Sequence, residues 1–334
     1  GDWNDGMNKV GIEGKGESIW LGFFLYDVLL QFARLAQSHA DPEFASRCQA
    51  EAAQLQRNLE QHGWDGAWYR RAYFDDGSVL GSSANAECRI DSIAQSWAVL
   101  SGAAEPARAY LAMEAVRRQL VQPDGAVLKL LAPPFDTSTP DPGYIQAYVP
   151  GVRENGAQYT HAAIWAVMAF AALGDGSRAT QLLSMINPVN HTFDRESMAR
   201  YKVEPYVVAS DVYALAPHIG RGGWSWYSGS AGWMLRLMTE SILGLRRVAD
   251  RLYLEPCLAA DWNGFRMRYR YGETWYSIRV LQTGAPSGVA AGRTWLTVDG
   301  TPQSDPAIPL MDDRQLHAVE LRIRRGPKQQ DAQP

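Results

Sequence analysis

The periodicity of the chain changes once, near Gly244, and that change limits the kind of fold open to it. Upstream, apolar residues recur every three or four positions. In ESIWLGFFLYDVLLQFARLAQ they fall at Ile19, Phe23, Tyr26, Leu30 and Ala33, which is the spacing of one helix face. Asp41 and Pro42 open a second helix as N-cap and first residue, and Gly63 stops it. Further helices are predicted at about 91–100, 105–120, 159–173, 177–185, 209–216 and 229–243. Eight helices in pairs, with long decorated loops at alternate connections, describe part of an (α/α) toroid with its functional loops at one end. Downstream, RLYLEP, GFRMRYRYGETWYSIRVLQ, RTWLTVDGTPQ and HAVELRIRR alternate in polarity and turn at Gly and Asp, which is strand grammar with hairpins at YGET and VDGT. The predicted fold is mainly α. Residues 1–243 form part of a helical toroid, residues 244–326 a small C-terminal β-sheet domain, and residues 327–334 a disordered tail. A closed six-hairpin toroid needs twelve helices, so the reading implies an N-terminally truncated fragment, inactive by itself.

Composition removes several function classes. A net charge of −4 offers no electrostatic footing for nucleic acid. No run of 18 consecutive apolar residues occurs, which predicts no bilayer span and no direct membrane contact by this segment. Cys48, Cys88 and Cys257 are scattered and odd in number, so they read as free thiols in a reducing, cytoplasmic setting. The informative excess is aromatic: 12 Trp and 15 Tyr, many beside Gly, Asn and Asp in GDWNDG, GWDGAWY and GGWSWYSGSAGW. Flat apolar faces next to hydrogen-bonding edges suit sugar rings.

Three stretches could carry chemistry. In GDWNDG, two carboxylates flank Trp3 and Asn4. Glycosidic cleavage needs a carboxylic acid that protonates the leaving oxygen, and an aromatic face beside it favours the protonated form; an Asx-turn is the plain structural alternative. In PGVRENGAQYTHAAIW, Gly156 leaves Glu154 in a loop and puts His161 in the first turn of the next helix. A structural histidine is the alternative there, and no second His or Cys stands at zinc-ligand spacing. In GRGGWSWYSGSAGWM, a glycine-rich loop runs into a helix N-terminus, with Ser228 as its N-cap. Free amides and the helix dipole suit an anion there; a simply capped helix is the plain structural alternative, which spacing alone favours. The missing Gly-Lys-Ser/Thr excludes a nucleotide-triphosphate loop, whereas inorganic phosphate fits.

Together, GDWNDGMN, GKGESIWLGFFL, RIDSIAQSWAVLSG, ENGAQYTHAAIWAVMAFAALG, EPYVVASDVY and GGWSWYSGSAGWM resemble the catalytic region of the inverting phosphorylases of glycoside hydrolase family 94. The family includes cellobiose and chitobiose phosphorylases and the C-terminal domain of cyclic β-1,2-glucan synthase, whose wording the chain most resembles. The resemblance implies an (α/α)6 toroid and phosphorolysis of a β-glucosidic bond, with β-1,2-glucan or an oligoglucan as substrate. It implies Asp5 as general acid, Trp3 and Glu154 as sugar-binding residues, and His161, Ser228 and Gly229 as phosphate ligands. Ser228 departs from a threonine common in relatives. Inorganic phosphate is then a co-substrate, with no metal or organic cofactor. The setting is cytoplasmic, or the cytoplasmic side of the inner membrane if the parent is such a synthase, and a homodimer stays open. The alternatives are an inverting hydrolase with Glu154 as general base, and a non-catalytic module that binds glucan or senses its length.

Overall fold

The computed structural model describes residues 2–283, 295–305 and 307–324. It divides into two compact units, Gly1–Leu173 with Gln181–Leu235, and Gly174–Thr180 with Arg236–Pro334. The predicted tail at 327–334 lies outside the described residues.

The first unit is built on α1 (Ile19–Ser38), α2 (Pro42–His62), α3 (Ser92–Leu100), α4 (Pro106–Gln119) and α5 (Thr160–Ala172). The local chemistry sets their ends. The Asp41 side chain caps α2 at Phe44 N–H, with Pro42 in the first turn and Gly63 as C-cap. Ser18 caps α1 at Leu21 N–H and Asp91 caps α3 at Ile93 N–H. Helices α1, α3 and α5 pack on one another in sequence, with α2 on α1 and α4 on α3 and α5. Helix α5 is buried on nearly every side, the mark of a central helix. The core runs through Phe23, Tyr69, Ile93, Phe135, Ile145 and Ala162, all inaccessible to solvent. By length and composition α1 is long and apolar enough to cross a membrane, which departs from the run-length expectation because Asp27, Gln31 and Arg34 interrupt the apolar run yet leave its average high enough. Its Ile19, Trp20 and Phe23 are buried.

Each of α1, α3 and α5 is entered through a two-residue strand: β1 (Glu17–Ser18), β4 (Ile90–Asp91) and β8 (Gln158–Tyr159). β1 pairs with β2 (Ala72–Tyr73), which pairs with β3 (Val79–Leu80) across the expected DDG turn. A further hairpin joins β5 (Val121–Gln122) to β6 (Val127–Leu128), and β4 pairs with β7 (Leu131–Ala132). β8 pairs with β9 (Asp211–Val212). These ladders gather the start of each core helix beside a loop from elsewhere in the chain.

The predicted helix at 209–216 is absent; that stretch is β9 and its flanks. Its backbone is claimed by distant partners: Ser210 N–H donates to the Trp224 carbonyl, Tyr213 N–H to Arg221, and Thr160 N–H to Ser210. A short helix the sequence did not announce, α7 (Arg195–Tyr201), is held by a capping box between Asp194 and Ser197. The predicted pair 177–185 and 229–243 appears as α6 (Gly176–Ile186) and α8 (Ser228–Arg236). The helix of α8 widens into a π turn over Leu237–Ile242.

In the second unit, β10 (Leu245–Val248), β11 (Arg251–Leu254) and β16 (Ala307–Pro309) form one sheet. β12 (Gly264–Tyr271), β13 (Thr274–Thr283), β17 (Leu316–Arg324), β14 (Trp295–Val298) and β15 (Thr301–Pro302) form another in that order. Tight turns fall at Gly272–Glu273 and Asp299–Gly300; Asp299 and Gly300 both have positive φ, as a type I′ hairpin requires. Alternate residues Tyr276, Ile278 and Val280 of β13 are buried with Val319 and Leu321 of β17. Among the described residues the cysteines are unpaired; Cys48 and Cys88 are buried and Cys257 half-buried.

Candidate active site

A cavity of about 220 Å³ in the first unit is lined by Trp3, Asn4, Asp5, Tyr144, Tyr148, Arg153, Glu154, Tyr159, His161 and Tyr227. Four residues singled out in the sequence therefore meet: Asp5, Trp3, Glu154 and His161. Each comes from a segment whose backbone is pinned from outside.

The acid turn comes first. Asp5–Met7 is a single 3₁₀ turn, and the Asn4 side chain caps it at Gly6 N–H. The two carboxylates of the motif have separate fates. Asp2 is turned inward onto Arg71, whose Nη1 and Nη2 donate to it at 2.8 and 2.7 Å. Burial alone would raise its pKa, but the Arg71 charge and hydrogen bonds from Arg71, Ser18 and Asn4 outweigh it and hold the group at about 2. Asp5 is exposed to the cavity, and among the described residues its carboxylate has no hydrogen bond or ion pair. The Trp3 ring packs on Tyr159, His161 and Trp165, with centroids 5.5, 5.4 and 5.2 Å away.

Glu154 sits in a tight loop. The Asn155 side chain, wholly buried, ties that loop to both backbone groups of Phe135 and to the Tyr148 carbonyl. Arg153 adopts a left-handed φ of 52°, and its N–H is held by Asp211 at 3.0 Å. Its guanidinium pairs with Glu154 at 3.3 Å and lies 4.8 Å from the Tyr148 ring centroid. Burial first, then the Glu154 charge and Tyr227, raise the pKa of the Tyr159 phenol. Arg153, Tyr159 and Tyr227 are cavity residues that the sequence reading missed. The signals were available: Arg153 is a cation directly beside the chosen glutamate, Tyr159 lies in the same stretch as His161, and Tyr227 lies within GGWSWYSGSAGW.

His161 stands in the first turn of α5. Trp3, Trp165 and Trp233 surround its ring, the last two with centroids 4.5 and 5.8 Å away. Burial lowers its pKa to about 4, and its buried Nε2 has no hydrogen-bond partner. It is a neutral imidazole with an unsatisfied nitrogen, in the lining of a polar cavity.

Ser228 and Gly229 lie just beyond this lining. Both are exposed at the start of α8, directly after the cavity residue Tyr227. The Tyr227 carbonyl accepts the first helical bond, from Ala231 N–H, so the helix opens one residue earlier than the expected Ser228 cap. The first-turn amides of α8 have no partner within the helix. Trp233, which meets the His161 ring, is one turn along from Gly229. Of the three aromatic clusters proposed for sugar, GWDGAWY is not in the cavity. Trp68 is buried, its indole N–H shared between the Gly81 and Arg89 carbonyls. Among the described residues no group of His, Cys, Asp and Glu is arranged to hold a metal ion.

Residues 1–244 match the Glycosyl hydrolase 94 superfamily, catalytic domain. The cyclic beta-(1,2)-glucan synthase of Rhizobium meliloti is 49% identical over 280 residues, which is 84% of this chain and 10% of that protein. Solabiose phosphorylase of Paenibacillus borealis is 32% identical over 96% of this chain and 41% of its own length. The N,N'-diacetylchitobiose phosphorylase of Vibrio furnissii is 34% identical over 90% of this chain and 36% of its own. The chain thus spans between 10% and 41% of these relatives. A solved sialidase shares the fold, with a TM-score of 0.54 at 13% identity over 75% of this chain and 22% of that one. The helical unit is accordingly part of a toroid-like domain, and the chain belongs to glycoside hydrolase family 94.

Proposed function

We propose that these residues form the acid and phosphate sides of an inverting phosphorylase site, which converts a β-glucosidic bond and inorganic phosphate to α-glucose 1-phosphate. Asp5, in its acid form, gives its proton to the glycosidic oxygen as the bond from that oxygen to the anomeric carbon breaks. A phosphate oxygen forms the new bond from the opposite face, so the centre inverts. Phosphate is held by His161 and by Ser228 and Gly229 at the start of α8, where free amides and the helix dipole favour an anion. Trp3 and Glu154 hold the glucosyl ring. Phosphate is already an anion and needs placing more than deprotonating. The scheme therefore asks for one acid and an anion site, with no metal or organic cofactor.

The observation that carries this reading is the single cavity in which Asp5, unpaired and exposed, faces the same space as Trp3, Glu154 and His161. Glu154 is engaged by Arg153, which suits a binding role better than that of a base activating water. The helices read as the C-terminal part of an (α/α)6 toroid, followed by the β-sheet unit. The identity to the Rhizobium glucan synthase supports β-1,2-glucan as substrate, with cellobiose second. The proposed setting is cytoplasmic, at the inner face of the inner membrane when carried by such a synthase.

The test is to incubate the full natural chain with β-1,2-gluco-oligosaccharides, with and without inorganic phosphate. α-Glucose 1-phosphate formed only with phosphate is the expected result. Cleavage indifferent to phosphate would mean a hydrolase, and binding without turnover a glucan-binding module; either overturns the proposal.

A further inference from the structure

We infer that Arg71 is a positioning residue for proton transfer: it fixes the turn that carries Asp5 against the N-termini of α1 and α3. The inference rests on the reading of Asp5 as the acid. Arg71 is 1% exposed and does not line the cavity. Each of its three nitrogens is engaged: both terminal nitrogens donate to Asp2, Nη1 also to the Ser18 hydroxyl at 3.1 Å, and Nε to Asp91 at 3.1 Å. Ser18 and Asp91 are the N-caps of α1 and α3, so one guanidinium joins the chain's first residues to two helix starts. From Asp2 the path runs on to the acid. Asp2 Oδ1 accepts Asn4 N–H at 3.0 Å, Asn4 Oδ1 accepts Gly6 N–H at 3.0 Å, and the Asn4 carbonyl accepts Met7 N–H at 3.0 Å. Everything flanking residue 5 is tied down while its own carboxylate stays free.

Stability gives a poor reason for this arrangement. A cation buried between two carboxylates costs desolvation that well-packed apolar residues avoid, and replacing such triads is often neutral or stabilising. What the fork supplies is direction, since bidentate pairing sets angles as well as distance. The backbone is shaped to the same end: Gly81 has φ +83°, and a Cβ there would fall 2.3 Å from Arg71 N.

The test compares two leaving groups in the full natural chain carrying Arg71→Lys, which keeps the charge and loses the fork. A gluco-oligosaccharide needs its leaving oxygen protonated; a dinitrophenyl β-glucoside does not. With the oligosaccharide, kcat should fall by about a hundredfold, the scale of a misplaced catalytic group, with KM for phosphate little changed. With the dinitrophenyl glucoside, kcat should stay within about threefold of wild type. Asp2→Asn, which keeps the side-chain shape, should show the same asymmetry. Equal losses on both substrates in folded variants would mean a merely structural role, and no loss on either would mean no role; both overturn the inference. The comparison does not depend on phosphate. A wild-type chain that cleaves without it sinks the proposed phosphorolysis, while the leaving-group asymmetry still reports on Arg71.

Discussion

The rings of Trp3 and His161 meet edge-on, with centroids 5.4 Å apart and planes at 87°. With Trp165 and Trp233 also against it, the imidazole is half-buried, and burial draws its pKa to about 4. A phosphate anion beside the ring favours imidazolium and opposes that shift. In an NMR titration the free protein should show a His161 midpoint near 4, and saturating inorganic phosphate should raise it by about one unit or more. A midpoint unmoved by phosphate would remove His161 from the anion site.

Asp2 and Asp5 should separate in stability on substitution. Asp5 is exposed and unpaired, so Asp5→Asn should change stability by no more than about 0.5 kcal/mol while cleavage drops about 10²- to 10⁴-fold. Asp2→Asn weakens charged hydrogen bonds to a buried guanidinium and should cost about 2 kcal/mol. Urea unfolding beside a phosphorolysis assay reads both. An Asp5→Asn chain that is active would refute its role.

Gly143 joins the acid turn to the segment that carries Tyr144. Its φ is +122°, and a Cβ there would fall 2.3 Å from Asn8 Oδ1 and 2.6 Å from the Gly6 carbonyl. The next residue, Tyr144, lines the cavity and donates its N–H to Asn8. Gly143→Ala should therefore lower stability by more than about 1 kcal/mol and weaken oligosaccharide binding, read by calorimetric titration. A variant as stable as wild type would show that the close approach yields freely.

Local chemistry was legible and remote pairing was not. Asp41, Pro42 and Gly63 mark α2 because capping and φ preference act within a few residues. The Asp299–Gly300 turn is legible for the same reason. The stretch 209–216 misled because its hydrogen bonds go to Thr160, Arg221 and Trp224, which a helical window does not contain. The parallel pairing of β13 with β17 is likewise set by neither strand alone. In the site, Asp5, Trp3, Glu154 and His161 were found by motif. The motif did not say which aspartate was free; that depended on Arg71. In WYRRAY two arginines look alike. Only the strand that follows sends Arg71 inward to Asp2 and Asp91 and leaves Arg70 with Asp65 and Tyr73.

Asp91 offers a signed test of that buried triad. Burial raises its pKa from 3.8 to about 6 against the pull of Arg71. Between these values the folded chain holds a proton that the unfolded chain has lost. This group's contribution to stability therefore falls as pH rises from about 4 to 6 and is flat above. Asp2 and His161 run the other way. Asp2, lowered to about 2, contributes stability above 3.8 that is lost as pH falls toward 2. His161, lowered to about 4, contributes stability above 6.5 that is lost between 6.5 and 4. The Asp91 slope is isolated by difference, because Asp91→Asn keeps an N-cap oxygen for Ile93 and leaves the other two groups in place. The variant should gain on wild type as pH rises from about 4 to 6, with a constant difference from 7 to 8. A stability difference that stays level across the lower window would mean that Asp91 ionises as it does in an unfolded chain, and that Arg71 compensates its burial in full.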